Sequence, residues 1–233
     1  MNTHVIFNKA IIKNFEYKPG STFFLDIKKD EINKRFTKHI GSIYKYYDEE
    51  TEKILSTIES NFSKYVLNKI KSFEDFTFET SILSDFALAL LIRDPKSYNK
   101  FFTSKFNDSH SIFIKNILDT KEFSLRSSNL NQSLNFHLLL NETLTPFVCS
   151  LDGLFEVDIL KSSFYGFPLT PSLMFVFQNY KYGKMNLVKD KFLKIDLNSV
   201  KNINSAQFAK SNDGFFKAII SAQEKVLFEL LNK

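Results

Sequence analysis

From Asp48 onward the apolar positions of this chain fall into helical register. Leu55, Ile58, Phe62, Val66 and Ile70 recur three or four residues apart, and Asp48, Glu49, Glu50 and Glu52 set negative charge against the helix N-terminal dipole. The spacing predicts a helix here and a second one from about 76–79 to Arg93. Asp94-Pro95 ends the second, because proline lacks the amide and restricts the residue before it. Two more helical segments are expected over 96–106 and 109–121. Upstream, residues 23–27 read as a strand after the Pro19-Gly20 turn, with a second short strand near 43–47. The Ser/Asn-rich stretch 124–133 has no apolar period and reads as a surface loop leading into a short helix or strand over 134–141.

Beyond Thr145 the alternation changes to period two. P-F-V-C-S-L and L-F-E-V-D-I-L flank Asp152-Gly153, and L-M-F-V-F-Q precedes N-Y-K-Y-G and the mixed stretch ending in K-F-L-K-I. Both arrangements predict hairpins of an antiparallel sheet. A helix over 197–210, a strand over 215–220 and a closing helix over 223–231 complete the expectation. With helices gathered in the first half and strands in the second, the pattern predicts an α+β fold, a mostly helical N-terminal half packed on a C-terminal antiparallel sheet. No repeat of fixed period occurs. Residues 1–233 read as a single domain, with 124–133 the weakest internal boundary.

Composition adds bounds. A chain of 233 residues that is 43% hydrophobic buries roughly 70% of its unfolded surface without a disulfide or metal staple. It has 27 Phe, 9 Tyr and no Trp, a bias that A/T-rich codons produce on their own. The net charge of +5 favours a polyanion, yet Lys and Glu are interspersed with no block of five like charges, so a nucleic-acid partner stays one open reading. The lone Cys149 lies in an apolar run and reads as a small buried hydrophobe. The opening residues lack the charge-then-apolar order of a secretory signal, and the longest strongly apolar run, 86–92, is too short to cross a bilayer. A cytoplasmic protein with no membrane association is expected.

Phosphate-cradling glycine loops, zincin, nucleophile-elbow and C-x-x-C motifs are all missing from the sequence. No cofactor motif is evident, and no spacing of the four histidines supports a metal cage. What remains is a set of polar residues on apolar faces. Glu59 lies one turn from Leu55 and Phe62, so its carboxylate points along the buried stripe, where it needs a partner or takes up a proton. Arg93 follows Ile82, Phe86 and Ala89 or Leu90 at helical spacing. It is either a cation complementing the helix C-terminus or a fork for an anion, and Glu59 or the Asp152 turn is its expected partner. Asp152-Gly153 is a strong hairpin-turn signal, and it also sets a carboxylate at the end of a buried strand, where a base could act. Pro168-Leu-Thr-Pro171 reads as a buried rigid bend. His4 opens an amphipathic stretch with Asn8 on the same helical face.

Several segments, taken in order, resemble the family catalogued as domain of unknown function 4238 (DUF4238). They are H-V-I-F-N-K-A-I-I-K-N-F, T-F-F-L-D-I-K, the Glu59 helix, A-L-A-L-L-I-R-D-P, P-F-V-C-S-L-D-G, F-P-L-T-P and I-N-S-A-Q-F-A-K-S-N-D-G-F-F-K-A-I-I-S, spanning nearly the whole chain. Phe7 stands where the family has proline, and Ser150-Leu151-Asp152-Gly153 carries one residue more than the family's Ser-Asp-x-Pro turn and no proline. The resemblance implies a single-domain bacterial protein with His4, Glu59, Arg93 and Asp152 as its polar set.

Two functional readings follow. In the first, the chain is a nuclease-like or phosphate-handling effector in a defence or toxin setting. His4 serves as general acid or base, Arg93 as anion stabiliser, and Glu59 with Asp152 as orienting or metal-recruiting carboxylates, although no motif supports a divalent metal. In the second, it is a non-catalytic binding module for a protein or nucleic-acid partner, which predicts an exposed aromatic patch on one face and no cleft joining the four polar residues.

Overall fold

A computed structural model describes residues 2–4, 10–44, 46–71, 80–93, 110–119, 121–159, 162–179 and 192–232. The fold is α+β, as the segregation of periods predicts, but the strands are not confined to the second half. β1 (Asn2–His4) pairs antiparallel with β4 (Ser42–Tyr44). A four-stranded sheet takes β2 (Ser21–Asp26) and β3 (Glu31–Phe36) from the start of the chain. Its other strands are β6 (Cys149–Ser150) and β11 (Ala218–Ser221), in the order β3-β2-β11-β6. The five-stranded sheet, ordered β10-β5-β9-β8-β7, contains β5 (Leu134–Asn141), β7 (Phe155–Ile159), β8 (Ser162–Thr170), β9 (Leu173–Asn179) and β10 (Phe192–Ile195).

The helices are α1 (Glu49–Phe62), extended by a π-helical turn over Ser63–Leu67 into the short α2 (Asn68–Lys71), and α3 (Thr80–Arg93). After them come α4 (His110–Asp119), α5 (Lys121–Ser133), α6 (Leu197–Asp213) and α7 (Glu224–Leu231). Among the described residues no helix is long and apolar enough to cross a membrane. The helix expected over 96–106 lies outside the described residues.

The centre of the five-stranded sheet is buried on both faces, which is why β9 reads as a nearly continuous apolar run, while the edge strand β7 alternates buried and exposed residues. Along β9, Leu173, Phe175 and Phe177 face the largest core, while Met174 and Val176 face a second one beneath Val200 and Ile203 of α6. In the largest core Phe62 stacks on Phe86, with ring centroids 3.7 Å apart. Phe86 continues onto Phe167 at 5.4 Å, and Phe167 onto Phe175 at 5.3 Å. Helices α1 and α3 are thereby fastened to the sheet through aromatic contacts, each worth about 0.5–1.5 kcal/mol beyond burial. A third core joins Leu25 and Ile219 of the four-stranded sheet to Val226, Leu227 and Leu230 of α7.

Four expectations are corrected. The flanks of Asp152-Gly153 do not pair with each other: β6 joins β11, while β7 joins β8 in the other sheet. Gly153 has φ of 76°, a left-handed turn that carries the chain from one sheet to the next instead of folding it back. Likewise the F-L-K-I strand β10 runs parallel to β5 and does not form a hairpin with β9, whose antiparallel partners are β5 and β8. The stretch 124–133 is the body of α5, not a loop. Phe123 and Leu130 supply a sparse apolar stripe against the largest core, buried Ser127 bonds Asp85, and Arg126 pairs with Glu122 one turn away. Finally, His4 is in a strand, paired with Ser42, rather than on an amphipathic helix.

Candidate functional site

The polar residues singled out by the sequence are held by different partners. Glu59 is half-buried on α1, and its Oε1 accepts a hydrogen bond from the Ala10 amide at 2.8 Å. It anchors the segment leading into the 3-10 turn Ile12–Phe15. Arg93 is 2% exposed, so the inward orientation read from helical spacing holds. Its guanidinium carbon lies 5.7 Å from the centre of the Tyr47 ring. Burial pushes the Tyr47 phenol upward, against the pull of the nearby Arg93 charge, which keeps the hydroxyl protonated at neutral pH.

Arg93 belongs to a wider cluster that sequence reasoning did not find. Tyr46 Oη and His110 Nδ1 are 2.6 Å apart, and His110 Nε2 lies 2.7 Å from the Ile92 carbonyl. A carbonyl only accepts, so Nε2 carries a proton. In the neutral ring Nδ1 then accepts from the Tyr46 hydroxyl. Asp48 caps α1 by accepting from the Thr51 amide at 2.8 Å, and Lys115 Nζ binds its other oxygen at 2.7 Å. The Lys115 and Thr51 bonds hold the Asp48 carboxyl at about 2. This cluster ties the N-terminal ends of α1 and α4 to the C-terminal end of α3. Its members come from three separated stretches, 46–51, 92–93 and 110–115, and the sequence signals were Asp48 just ahead of an apolar period and Arg93 on the inward face of its helix.

Asp152 is 2% exposed. Its Oδ1 accepts from the Phe216 amide at 2.8 Å, and its own amide donates to Ser150 Oγ at 3.1 Å. Gly214 presses directly on this carboxylate, for a Cβ built there would come within 2.1 Å of Asp152 Cγ. Ser150 and Ser211 exchange a hydrogen bond at 2.6 Å between their hydroxyls, and Ser211 Oγ also donates to the Ala218 carbonyl at 3.2 Å. Alongside, α6 offers amides at helical spacing. Asn204 accepts from the Val148 amide at 3.0 Å and donates to the Pro146 carbonyl at 2.9 Å, while Gln207 accepts from the Ser150 amide at 3.0 Å. These side chains satisfy the backbone of segment 146–150 in the way a neighbouring strand would. The whole network is buried, and its chemistry is structural: it locks α6, β6 and the turn before β11 together.

A different assembly lies on the outer hairpin. β3 is the edge strand of its sheet, and all its residues except half-buried Ile32 are exposed. Cross-strand register puts Phe36 opposite Ser21 and Lys34 opposite Phe23, on one face by strand alternation, and the Lys18↔Ser21 bridge brings Lys18 beside them. Tyr17 packs on Phe23 with ring centroids 4.4 Å apart. Lys34 Nζ stands 5.9 Å from the Tyr17 ring centre and 5.7 Å from that of Phe23, with Lys18 Nζ 5.5 Å from Tyr17. Phe36 is 64% exposed. Glu16 fixes the frame, accepting from the Gly20 amide at 2.8 Å and from the Thr37 hydroxyl at 2.6 Å. On the opposite face Arg35 covers Phe24 at 4.0 Å. Between residues 13 and 39 seven Lys or Arg outnumber four Asp or Glu.

Among the described residues no group of three or more His, Cys, Asp or Glu is placed to hold a metal ion. No family model, curated protein or solved structure matches this chain.

Proposed function

We propose that the chain is a non-catalytic binding module that takes single-stranded nucleic acid on the exposed end of the β2–β3 hairpin face that carries Lys34 and Phe36. The observation that carries this reading is the strip of Tyr17, Phe23 and exposed Phe36 interleaved with Lys18 and Lys34. Aromatic faces stack bases without regard to sequence, and flanking lysines meet the phosphates. The lysines over the rings do not bar a base from them. An exposed cation–π contact is worth about 0.5–1 kcal/mol, whereas a base stacked on an aromatic ring is worth about 1–3 kcal/mol. A base therefore displaces the ammonium, which swings to the adjoining phosphate.

The phosphodiester-cleaving alternative asks His4, Glu59, Arg93 and Asp152 to act together. It is the weaker reading because Glu59 and Asp152 spend a carboxylate oxygen each on backbone amides, at Ala10 and at Phe216. The DUF4238 resemblance is compatible with either.

Fluorescence anisotropy with a labelled oligo-uridine or oligo-thymidine probe tests the proposal. Two phosphate contacts, from Lys18 and Lys34, give a log-log salt slope of about −1.4 for a single strand. Phe36→Ala lowers affinity about tenfold, and Lys34→Ala makes the slope shallower by about 0.7. Absence of binding at about 50 mM salt, or unchanged binding by both variants, overturns it.

A further inference from the structure

We propose that the cleft between α6 and α7 binds a small zwitterion, a free amino acid with a branched aliphatic side chain. The cleft has a volume of about 250 Å³ and is lined by Thr145, Lys201, Asn204, Val226, Glu229 and Leu230. That volume equals about eight waters, room for a molecule of about nine heavy atoms, the size of leucine.

The lining selects within that size range. Val226 and Leu230 are buried and stand one helical turn apart on α7, giving an apolar wall. Asn204 contributes bulk without competing polar demand, since its amide oxygen and nitrogen are already bonded to the backbone at Val148 and Pro146. Lys201, one turn before Asn204 on α6, brings a cation, and Glu229 brings an anion from α7. Glu229 meets only the far edge of Lys225, at 3.9 Å, and that lysine is 85% exposed, a pairing too loose to occupy the carboxylate. A plain acid would use Lys201 and face Glu229 with like charge, and a plain amine would meet the reverse. A ligand carrying an ammonium and a carboxylate on one carbon offers a partner to each, with its side chain against Val226 and Leu230.

Isothermal titration calorimetry with L-leucine as the probe, against 4-methylpentanoate and 3-methylbutylamine, decides the matter. Leucine binds saturably, and the two single-charge analogues bind at least about tenfold more weakly, as expected when one hydrogen-bonded charge is lost. Lys201→Met and Glu229→Gln each weaken leucine by a similar factor, and the double exchange Lys201→Glu with Glu229→Lys regains most of it. Leu230→Phe fills the cleft and abolishes binding with both charges intact; circular dichroism confirms that each variant is folded. Three results overturn the proposal: no saturable heat with leucine up to about 10 mM, equal binding of leucine and methylpentanoate, or leucine affinity indifferent to Lys201, Glu229 and Leu230. The oligonucleotide assay is read separately, through Lys34 and Phe36, neither of which lines the cleft.

Discussion

Removing the Asp152 carboxylate discriminates between a structural and a chemical role for this residue. In Asp152→Ala the Phe216 amide loses a charge-assisted bond of 2.8 Å, and such a bond contributes about 1.5–3 kcal/mol. Gly214→Ala acts from the other side of the same contact, forcing a Cβ to within 2.1 Å of Asp152 Cγ. Overpacking of that kind costs about 1–3 kcal/mol. The two changes are coupled in a way a catalytic role cannot imitate. Once the carboxylate is gone, the methyl at position 214 has room, so the double variant is destabilised hardly more than Asp152→Ala alone. A coupling energy of about −1 to −3 kcal/mol follows, well beyond the roughly 0.5 kcal/mol at which independent sites add. Urea unfolding followed by far-ultraviolet circular dichroism measures it. With m near 2 kcal/mol/M, each single variant lowers the midpoint by roughly 1 M. A wild-type midpoint for Asp152→Ala, or strict additivity in the double variant, refutes the account of Asp152 as the post that closes the turn between α6 and β11.

Three further outcomes are expected. Asp48 has its pKa depressed to about 2 from 3.8, so the stability it supplies is complete above pH 4 and is lost as pH falls toward 2. Because both partners are 43% exposed, solvent screening limits this to about 1 kcal/mol, and Asp48→Asn, which keeps the cap but not the Lys115 pair, flattens the stability profile between pH 4 and 2; an unchanged profile counts against the pairing. Asn204→Leu strands the Val148 amide and the Pro146 carbonyl together, at about 2–4 kcal/mol, lowering Tm by roughly 4–16 °C in a scanning-calorimetry comparison with wild type. Burial raises the Cys149 thiol well above its ordinary range, so native protein at neutral pH resists maleimide and labels only when unfolded in urea; fast native labelling would contradict the placement of β6.

Much of the fold was legible because its signals are local. The apolar period from Leu55 to Ile70 placed α1, and the buried alternation of Leu173 to Phe177 placed β9. What could not be read is partner choice. The alternation around Asp152-Gly153 is the same whether β6 and β7 pair with each other or leave for separate sheets, and only the distant strand β11 decides it. β3 escaped detection since an edge strand open on both faces needs no alternation, and its Lys34-Arg35 pair reads as loop. α5 escaped for the opposite reason: its buried stripe centres on Ser127, whose burial is satisfied by Asp85 and not by hydrophobicity.

The same distinction governs the candidate site. Helical spacing tells correctly that Arg93 turns inward, yet it says nothing about what it meets, and Tyr47 is supplied by the chain just before α1. The rule that singled out Glu59, a polar residue on an apolar stripe, applies with equal force to Asn204, Gln207 and Ser211 among Val200 and Ile203 on α6. There it points to side chains that replace a missing strand for segment 146–150. An inward polar residue is therefore first a sign of backbone that lacks a partner nearby, since leaving a buried amide or carbonyl unpaired costs about 1–3 kcal/mol. Binding chemistry in this molecule is better sought where rings and charges remain at the surface. Phe36, Lys34 and Lys18 on the β2–β3 face meet that condition, and Glu16 and the Pro19-Gly20 turn have settled the frame beneath them.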